Sequence, residues 1–338
     1  MDNEKHTIAV LGAGSWGVAV ALSLLRNGHK VHLWGRDTQK IDGLKRTRIS
    51  PRLPGVKIPD SLFITDNLQN ALAGAEAVIF ATPAQALSQV AGQITGYFDS
   101  GRALVILCKG IEKGTLRRMS EALCAALPQT NPDSVCVLSG PSHAEEVARS
   151  QPTSVVAASS SERVAVWTQR LFASATFRVY RTDDVAGVEF GGSVKNIIAV
   201  ASGITQALRL GDNAQGALIT RGLAEMTRLG IKLGAQPLTF AGLSGLGDLV
   251  TTCFSRHSRN RNLGEMIGAG ISLTEALDSL GMVAEGVDTC VAVRDLAARH
   301  SVETPITDQV YQILFEGKDP KQGVRELMGR TLKEEIWV

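Results

Sequence analysis

Disulfide chemistry has little to work with in this chain. Its 338 residues carry five cysteines, at 108, 124, 136, 253 and 290, an odd and scattered set with no Cys-x-x-Cys pair. That excludes a disulfide framework and points to reduced thiols in a cytoplasmic setting. Charge of one sign is equally scarce. Thirty-five Lys and Arg against 33 Asp and Glu leave +2, so no global attraction draws the chain to nucleic acid or acidic lipid. No apolar run approaches the ~18 residues that a membrane span needs. The start, MDNEKHTIAV, is polar and turns directly into a strand-like run, unlike a secretory signal. Aromatics make up only 5%. The one basic cluster, SRHSRNRN at 255–262, lacks the interleaved aromatics of a nucleic-acid patch.

What is present is a hydrophobic share of 44%, enough for a substantial core, over a length that suggests two domains. Up to about Tyr180, short apolar runs alternate with amphipathic pieces. TIAVLG, KVHLWG, AVIFAT, ALVILC, SVCVLS, TSVVAAS and FRVYR read as strands. This rhythm predicts a doubly wound, Rossmann-type, mostly parallel α/β sheet. Pro51, Pro54 and Pro59 interrupt it, marking a surface loop. After about Val185 strand signals stop, and helical patterns follow over 187–208, 215–233, 260–269, 273–280, 285–299, 304–315 and 320–329. The expected organisation is a dinucleotide-binding domain over residues 1–187 and an all-α substrate-binding domain over 188–338, with the boundary near 183–190.

Gly12, Gly14 and Gly17 in IAVLGAGSWGVAVALSLL form G-x-G-x-x-G between a strand and a helix, the context in which that spacing means dinucleotide binding. Gly12 permits the tight turn, Gly14 lets backbone approach a pyrophosphate, and Gly17 packs the helix on the strand. The amides near Ser15 and Trp16 then face the phosphates at the helix N-terminus. About 20 residues on, Arg36 precedes Asp37. An acid there suits the 2′-hydroxyl of NAD, an arginine the 2′-phosphate of NADP. Arg36 tilts the expectation toward NADPH/NADP with NADH/NAD tolerated; the alternative leaves Arg36 facing solvent and Asp37 capping the next helix.

Ligands in such sheets bind beyond the carboxyl ends of the strands. ALVILCKGIEKG delivers Lys109 there, well placed for an anionic or carbonyl substrate. VCVLSGPSHAEEV delivers a Gly140-Pro141 turn, and Ser142 with Glu145 fits a capping box. That box leaves amides at Ser142, His143 and Ala144 facing the crevice. His143 is a candidate acid–base without a visible partner.

In VEFGGSVKNIIAVASGI (188–204) one lysine sits in a helix apolar all round. Such helices are buried, and lysine is almost never buried without a partner. Desolvation lowers a lysine's preference for its charged form, so Lys195 is poised for proton transfer, with Asn196 beside it offering donor and acceptor groups. In GLSGLGDLVTTCFSRHSRNRN, Gly242, Gly245 and Gly247 are too many for a stable helix interior and suggest close backbone approach. Asp248 follows, then Thr251 and Thr252. Arg256, Arg259 and Arg261 lie among Ser258, Asn260 and Asn262, residue types that hold phosphate.

GAGSWG, CKGIE, GPSHAEEV, VKNIIAVASGI, GLGDLVTTC, SRNRNLG and VAEGV, in this order, resemble the bacterial NAD(P)-dependent glycerol-3-phosphate dehydrogenase family, over residues 6 to 335. The resemblance implies reversible reduction of dihydroxyacetone phosphate to sn-glycerol 3-phosphate, the precursor of membrane phospholipids, by a cytoplasmic oxidoreductase without a metal. It implies Lys195 as the proton donor and acceptor, paired with Asp248. Substrate contacts then fall on Lys109, Gly140, Ser142, Lys195, Asp248, Ser258, Arg259 and Asn260. Cofactor contacts fall on Gly12, Gly14, Ser15, Trp16, Gly17, Arg36, Lys109, Ala144, Arg259, Val283 and Glu285. The chain departs from the family at Val18, where threonine is frequent, and varies at Ser142-His143; neither change removes a functional group. The residues leave two other readings open. One is a two-domain reductase of a keto or hydroxy acid, with an arginine gripping a carboxylate. The other is a non-catalytic dinucleotide-sensing module. A small molecule is the expected partner, with no nucleic acid and no membrane span, and a homodimer is a possible assembly.

Overall fold

The structure, a computed structural model, describes residues 4–97 and 101–335. Cα packing divides it into two compact units. One comprises Met1–Lys109 and Met119–Val188; the other comprises Gly110–Arg118 and Glu189–Val338.

The first unit is built on eight strands: β1 (Thr7–Leu11), β2 (Lys30–Trp34), β3 (Phe63–Thr65), β4 (Ala77–Phe80), β5 (Ala103–Ile106), β6 (Val135–Ser139), β7 (Thr153–Ala158) and β8 (Phe177–Thr182). Their order in the sheet is β3-β2-β1-β4-β5-β6-β7-β8. Every pairing is parallel except β6 with β7. The connecting helices are α1 (Ser15–Arg26), α2 (Thr38–Thr47), α3 (Leu68–Leu72), α4 (Leu87–Gln93), α5 (Met119–Ala126), α6 (Ala144–Ala148) and α7 (Glu162–Phe172).

Alternation along β1 feeds two apolar layers. Ile8 and Val10 pack into one face, Ala9 and Leu11 into the other, as side chains at period two must. Strands covered on both faces read as continuous apolar runs, which is why these strands are legible. β8 lies at the sheet edge and alternates instead, with Phe177 and Val179 buried and Tyr180 half exposed. β7 runs antiparallel to β6, and the one helix in the connection between them, α6, has five residues, about 7.5 Å at 1.5 Å per residue and too short to carry the chain back along the sheet. A parallel neighbour needs a crossover of a dozen or more residues, usually a full helix. Strand order reverses between β1 and β4, and such a switch point opens the crevice where ligands bind.

The second unit is helical: α8 (Val185–Ala207), α9 (Asp212–Lys232), α10 (Pro237–Phe240), α11 (Asp248–Phe254), α12 (Arg259–Gly268), α13 (Leu273–Leu280), α14 (Glu285–Arg299), α15 (Pro305–Phe315) and α16 (Pro320–Met328). α8 starts before the unit boundary and continues into it. The strap Gly110–Arg118 belongs here as well. It closes on itself through an Ile111–Arg118 bridge. Arg118 Nη1 pairs with the buried Glu189 of α8 at 2.9 Å, and Lys113 Nζ with Asp288 of α14 at 3.0 Å. No helix among the described residues is long and apolar enough to cross a membrane.

Three elements depart from the sequence reading. β3 is only three residues long and follows the proline-rich loop, so it leaves no alternation to detect. α10 and α11 flank a wide π turn at Leu243–Gly247, which makes the glycine-rich stretch helical where the glycines argue against helix. The glycines are there for close approach. A Cβ on Gly245 would lie 2.1 Å from Phe240 O, and one on Gly191 of α8 would lie 2.5 Å from Ser244 O.

Candidate active site

In the α/β unit the site begins where β1 meets α1. Gly12 has φ +123°, a conformation that side chains rarely adopt, and a Cβ on it would lie 2.5 Å from Ala81 O past β4. A Cβ on Gly17 would lie 1.7 Å from Gly12 O, whereas one on Gly14 would meet nothing within 4 Å. So Gly12 and Gly17 close the turn from within, and Gly14 leaves its outer face open. Gly14 is also the N-cap of α1, and no side chain caps that end. The first-turn amides have no intrahelical acceptor, and the helix end favours an anion. An open glycine, a helix end without a side-chain cap and a switch point together fit a dinucleotide pyrophosphate. Ser15 is buried and Trp16 packs against the sheet's core.

Past β2, Asp37 is the N-cap of α2, accepting the Lys40 N–H at 3.1 Å. Arg36 Nη1 donates to Gln89 Oε1 at 3.4 Å. At the carboxyl ends of β5 and β6 three expected residues meet on one oxygen. Lys109 Nζ and Ser142 Oγ each donate to Gly140 O at 2.9 Å. Gly140 has φ +138°, and a Cβ on it would lie 3.0 Å from Val155 Cα, so glycine lets this turn fold against β7. The capping box expected at Ser142 and Glu145 does not form. α6 begins at Ala144 with His143 at its N-cap and no side-chain cap. The Ser142 hydroxyl donates to the Gly140 carbonyl two residues back, and Ser142 lies one residue before the N-cap position that His143 takes. Ala144 is buried in the first turn.

In the helical unit Lys195 is 5% exposed. Its Nζ lies 2.5 Å from Asp248 Oδ1 and donates to Thr252 Oγ1 at 2.8 Å. Thr252 in turn donates to Asp248 Oδ1 at 3.2 Å. An ammonium and a carboxylate taken out of water are tolerated only when paired and hydrogen-bonded, and this triangle supplies both. Backbone contact between α8 at Gly191 and the π turn brings the start of α11 close enough for Asp248 to reach Lys195.

One residue on, Asn196 enters a second network. Asn260 Nδ2 donates to Asn196 Oδ1 at 2.9 Å, and the Gly286 N–H donates to Asn260 Oδ1 at 2.9 Å. Arg259 Nη1 donates to Val283 O at 2.9 Å. Ser258 caps α12 by accepting the Arg261 N–H at 3.2 Å. Ser258, Arg259 and Asn260 therefore gather at the start of α12, with Val283 and Glu285 at the start of α14, while Lys195, paired with Asp248 of α11, lies one residue before Asn196 along α8. Thr252 and Gly286 carry parts of this site that sequence reasoning did not assign. Thr252 stands four residues after Asp248, on the same helix face, a spacing that could have found it. Nothing local marks Gly286.

Two family models match the chain: NAD-dependent glycerol-3-phosphate dehydrogenase N-terminus over residues 7–165 and NAD-dependent glycerol-3-phosphate dehydrogenase C-terminus over 184–325. The chain is 50% identical over 331 residues to a glycerol-3-phosphate dehydrogenase [NAD(P)+] of Chlorobium limicola, covering 98% of this chain and 99% of the relative. It is 49% identical to the protein of the same description from Geobacillus kaustophilus, covering 98% and 96%. Among solved structures, glycerol-3-phosphate dehydrogenase from Coxiella burnetii superposes with a TM-score of 0.92 at 41% identity, covering 96% of this chain and 99% of that one.

Proposed function

The chain belongs to the NAD-dependent glycerol-3-phosphate dehydrogenase family, and from that premise we propose how its residues divide the work. It is an NAD(P)-dependent oxidoreductase that interconverts dihydroxyacetone phosphate and sn-glycerol 3-phosphate, the latter a building block of glycerophospholipids. When bound, the nicotinamide cofactor supplies or accepts the hydride.

The α/β unit is the dinucleotide-binding part. Gly12, Gly14 and Gly17 shape the turn, and the amides of Ser15 and Trp16 take the pyrophosphate. Arg36 reaches the adenosine ribose, and Ala144 borders the nicotinamide end. Lys109, steadied by the Gly140 carbonyl, brings positive charge to the substrate oxygen, where such charge stabilises a developing alkoxide. Ser142 lines the same turn. The helical unit is the substrate-binding part. Ser258, Arg259 and Asn260 grip the phosphate, with the arginine offering a two-pronged match, and this fixes the carbonyl end for reaction. Lys195 gives the proton to the C2 oxygen on reduction and takes it back on oxidation, with Asp248 fixing its position. Val283 and Glu285 contact the cofactor.

The observation that carries this reading is the buried Lys195 Nζ held between Asp248 and Thr252 at 2.5 and 2.8 Å. Packing has no use for a lysine there, whereas proton exchange does. The setting we infer is cytoplasmic, consistent with five cysteines that are all free. The test is nicotinamide absorbance with dihydroxyacetone phosphate against unphosphorylated dihydroxyacetone. Turnover should depend on the phosphate. Equal rates with both would overturn the phosphate grip, and preference for a keto acid would favour the rival reductase.

A further inference from the structure

Two turns past Lys195, α8 buries a further polar side chain, outside the substrate contacts. Ser202 lies seven residues on, so at about 3.6 residues per turn it shares the stripe of the helix that carries Lys195. It is fully buried. Its hydroxyl has one proton to give and two acceptors for it, Cys253 O at 3.0 Å and Gln215 Oε1 of α9 at 3.1 Å. Gln215 is buried as well, and its Nε2 donates to Ser202 O at 3.0 Å. The amide therefore grips the serine at two points, the main-chain carbonyl and the hydroxyl, and fixes its rotamer.

Cys253 directly follows Thr252, and its carbonyl belongs to the last turn of α11, where a helix offers its carbonyls no intrahelical partner. α11 has only seven residues, about 10 Å at 1.5 Å per residue, so its setting is decided at its two ends. At the first end the π turn rests on Gly191 of α8, where a Cβ would lie 2.5 Å from Ser244 O. At the last end Ser202 holds Cys253 O. Between these two points Asp248 and Thr252 meet Lys195 Nζ. α12 does not hang on the Ser202 bond. A Cβ on Gly203 of α8 would lie 2.0 Å from Arg261 O, and one on Gly264 of α12 would lie 2.0 Å from Val200 O. Asn260 bonds to Asn196 besides. The proposed phosphate grip thus keeps its place on α8 when the end of α11 is released, whereas Thr252, next to Cys253, moves with it.

We propose that Ser202, steadied by Gln215, is a positioning residue for the proton exchange: it pins the end of α11 and so holds Thr252 and Asp248 against Lys195. The inference rests on the dehydrogenase reading with Lys195 as proton donor, and adds the group that keeps the partners of Lys195 in place.

The experiment follows nicotinamide absorbance with dihydroxyacetone phosphate at saturating NADPH. It compares the wild type, Ser202→Ala, Gln215→Met, Lys195→Ala and the double variant Ser202→Ala/Lys195→Ala. Ser202→Ala should lower kcat roughly five- to fiftyfold, as a small displacement of reacting groups does. KM for dihydroxyacetone phosphate should stay within about twofold, because the loss falls on the chemical step and not on binding. Gln215→Met should lower kcat by a smaller factor, with the same KM. In the Lys195→Ala background the serine change should cause no further loss, since groups that act as one unit are not additive. A merely structural serine would reduce kcat by the same factor with or without Lys195. That result overturns the proposal, as does an unchanged kcat or a KM that rises by the factor that kcat falls. If Ser202→Ala gives no folded protein by circular dichroism, Gln215→Met and its double with Lys195→Ala carry the same comparison, and an unchanged kcat there overturns the proposal. If Lys195→Ala keeps the wild-type kcat, the proton-exchange reading fails instead. If the wild type does not oxidise NADPH with this substrate, the dehydrogenase reading fails.

Discussion

The α/β unit and the helical unit each hold a cluster of candidate site residues, and they build these clusters from different material. In the first, main chain does most of the work: a left-handed Gly12, an open Gly14, a helix end without a side-chain cap, and a carbonyl at Gly140 that gathers Lys109 and Ser142. In the second, side chains do it: an ion pair wrapped by a threonine, and two asparagines chained to a backbone amide. Main-chain groups arrive wherever the fold places the turn, so they tolerate sequence change as long as glycine stays. A side-chain site depends on several helices arriving in register, and each member leaves a desolvated partner behind when removed.

The sharpest way to break this comparison is Gly17→Ala. A Cβ 1.7 Å from Gly12 O cannot be accommodated without moving the turn, so NADP+ affinity should fall at least a hundredfold by fluorescence titration. Retained affinity would show that the turn is not rigid. Next comes Lys195→Ala, which should lower kcat by roughly a hundred- to ten-thousandfold while cofactor affinity stays within about twofold, because Lys195 is not among the proposed cofactor contacts. A third test sharpens the contrast through pH. Glu225 on α9 accepts the Ile306 N–H at 2.8 Å and the Thr307 N–H and hydroxyl at 3.0 and 2.7 Å. Burial nevertheless pushes its carboxyl from 4.5 up to about 7. The folded state therefore holds this proton where the unfolded chain has released it, so stability falls between about pH 4.5 and 7 and levels off above. Glu225→Gln should flatten that decline in Tm, and parallel profiles for the two proteins would refute it. The smallest effect is expected at Lys113→Ala. Its pair with Asp288 is partly exposed to water, so unfolding should shift by under about 1 kcal/mol in a urea titration.

The same contrast decides what was legible beforehand. Six strands read plainly because both faces of the sheet are covered there and their runs are largely apolar, and β8 read through its alternation. β3 did not, because three residues show no period. The glycine loop was readable as a turn because its spacing is local. Lys195 was readable as an anomaly, a charge where the helix is apolar all round. Its setting was less so: the Asp248–Lys195 contact spans 53 residues, and its geometry hangs on a π turn that glycine content alone argues against. The Ser142 capping box failed because α6 starts one residue later than the pattern implies, with His143 at its N-cap. Asp37 satisfied two local patterns at once, and only the position of Lys40 separates them.

The strap Gly110–Arg118 has a consequence for anyone who would cut this polypeptide in two. The backbone leaves the sheet unit after Lys109, returns at Met119, and leaves for good after Val188. A scission at residue 188 would ship nine residues of the helical body with the wrong fragment. Glu189, at 4% exposure, would then be parted from the guanidinium of Arg118 that pairs with it. The gene can be split there on paper, but the folded object is stitched across that line.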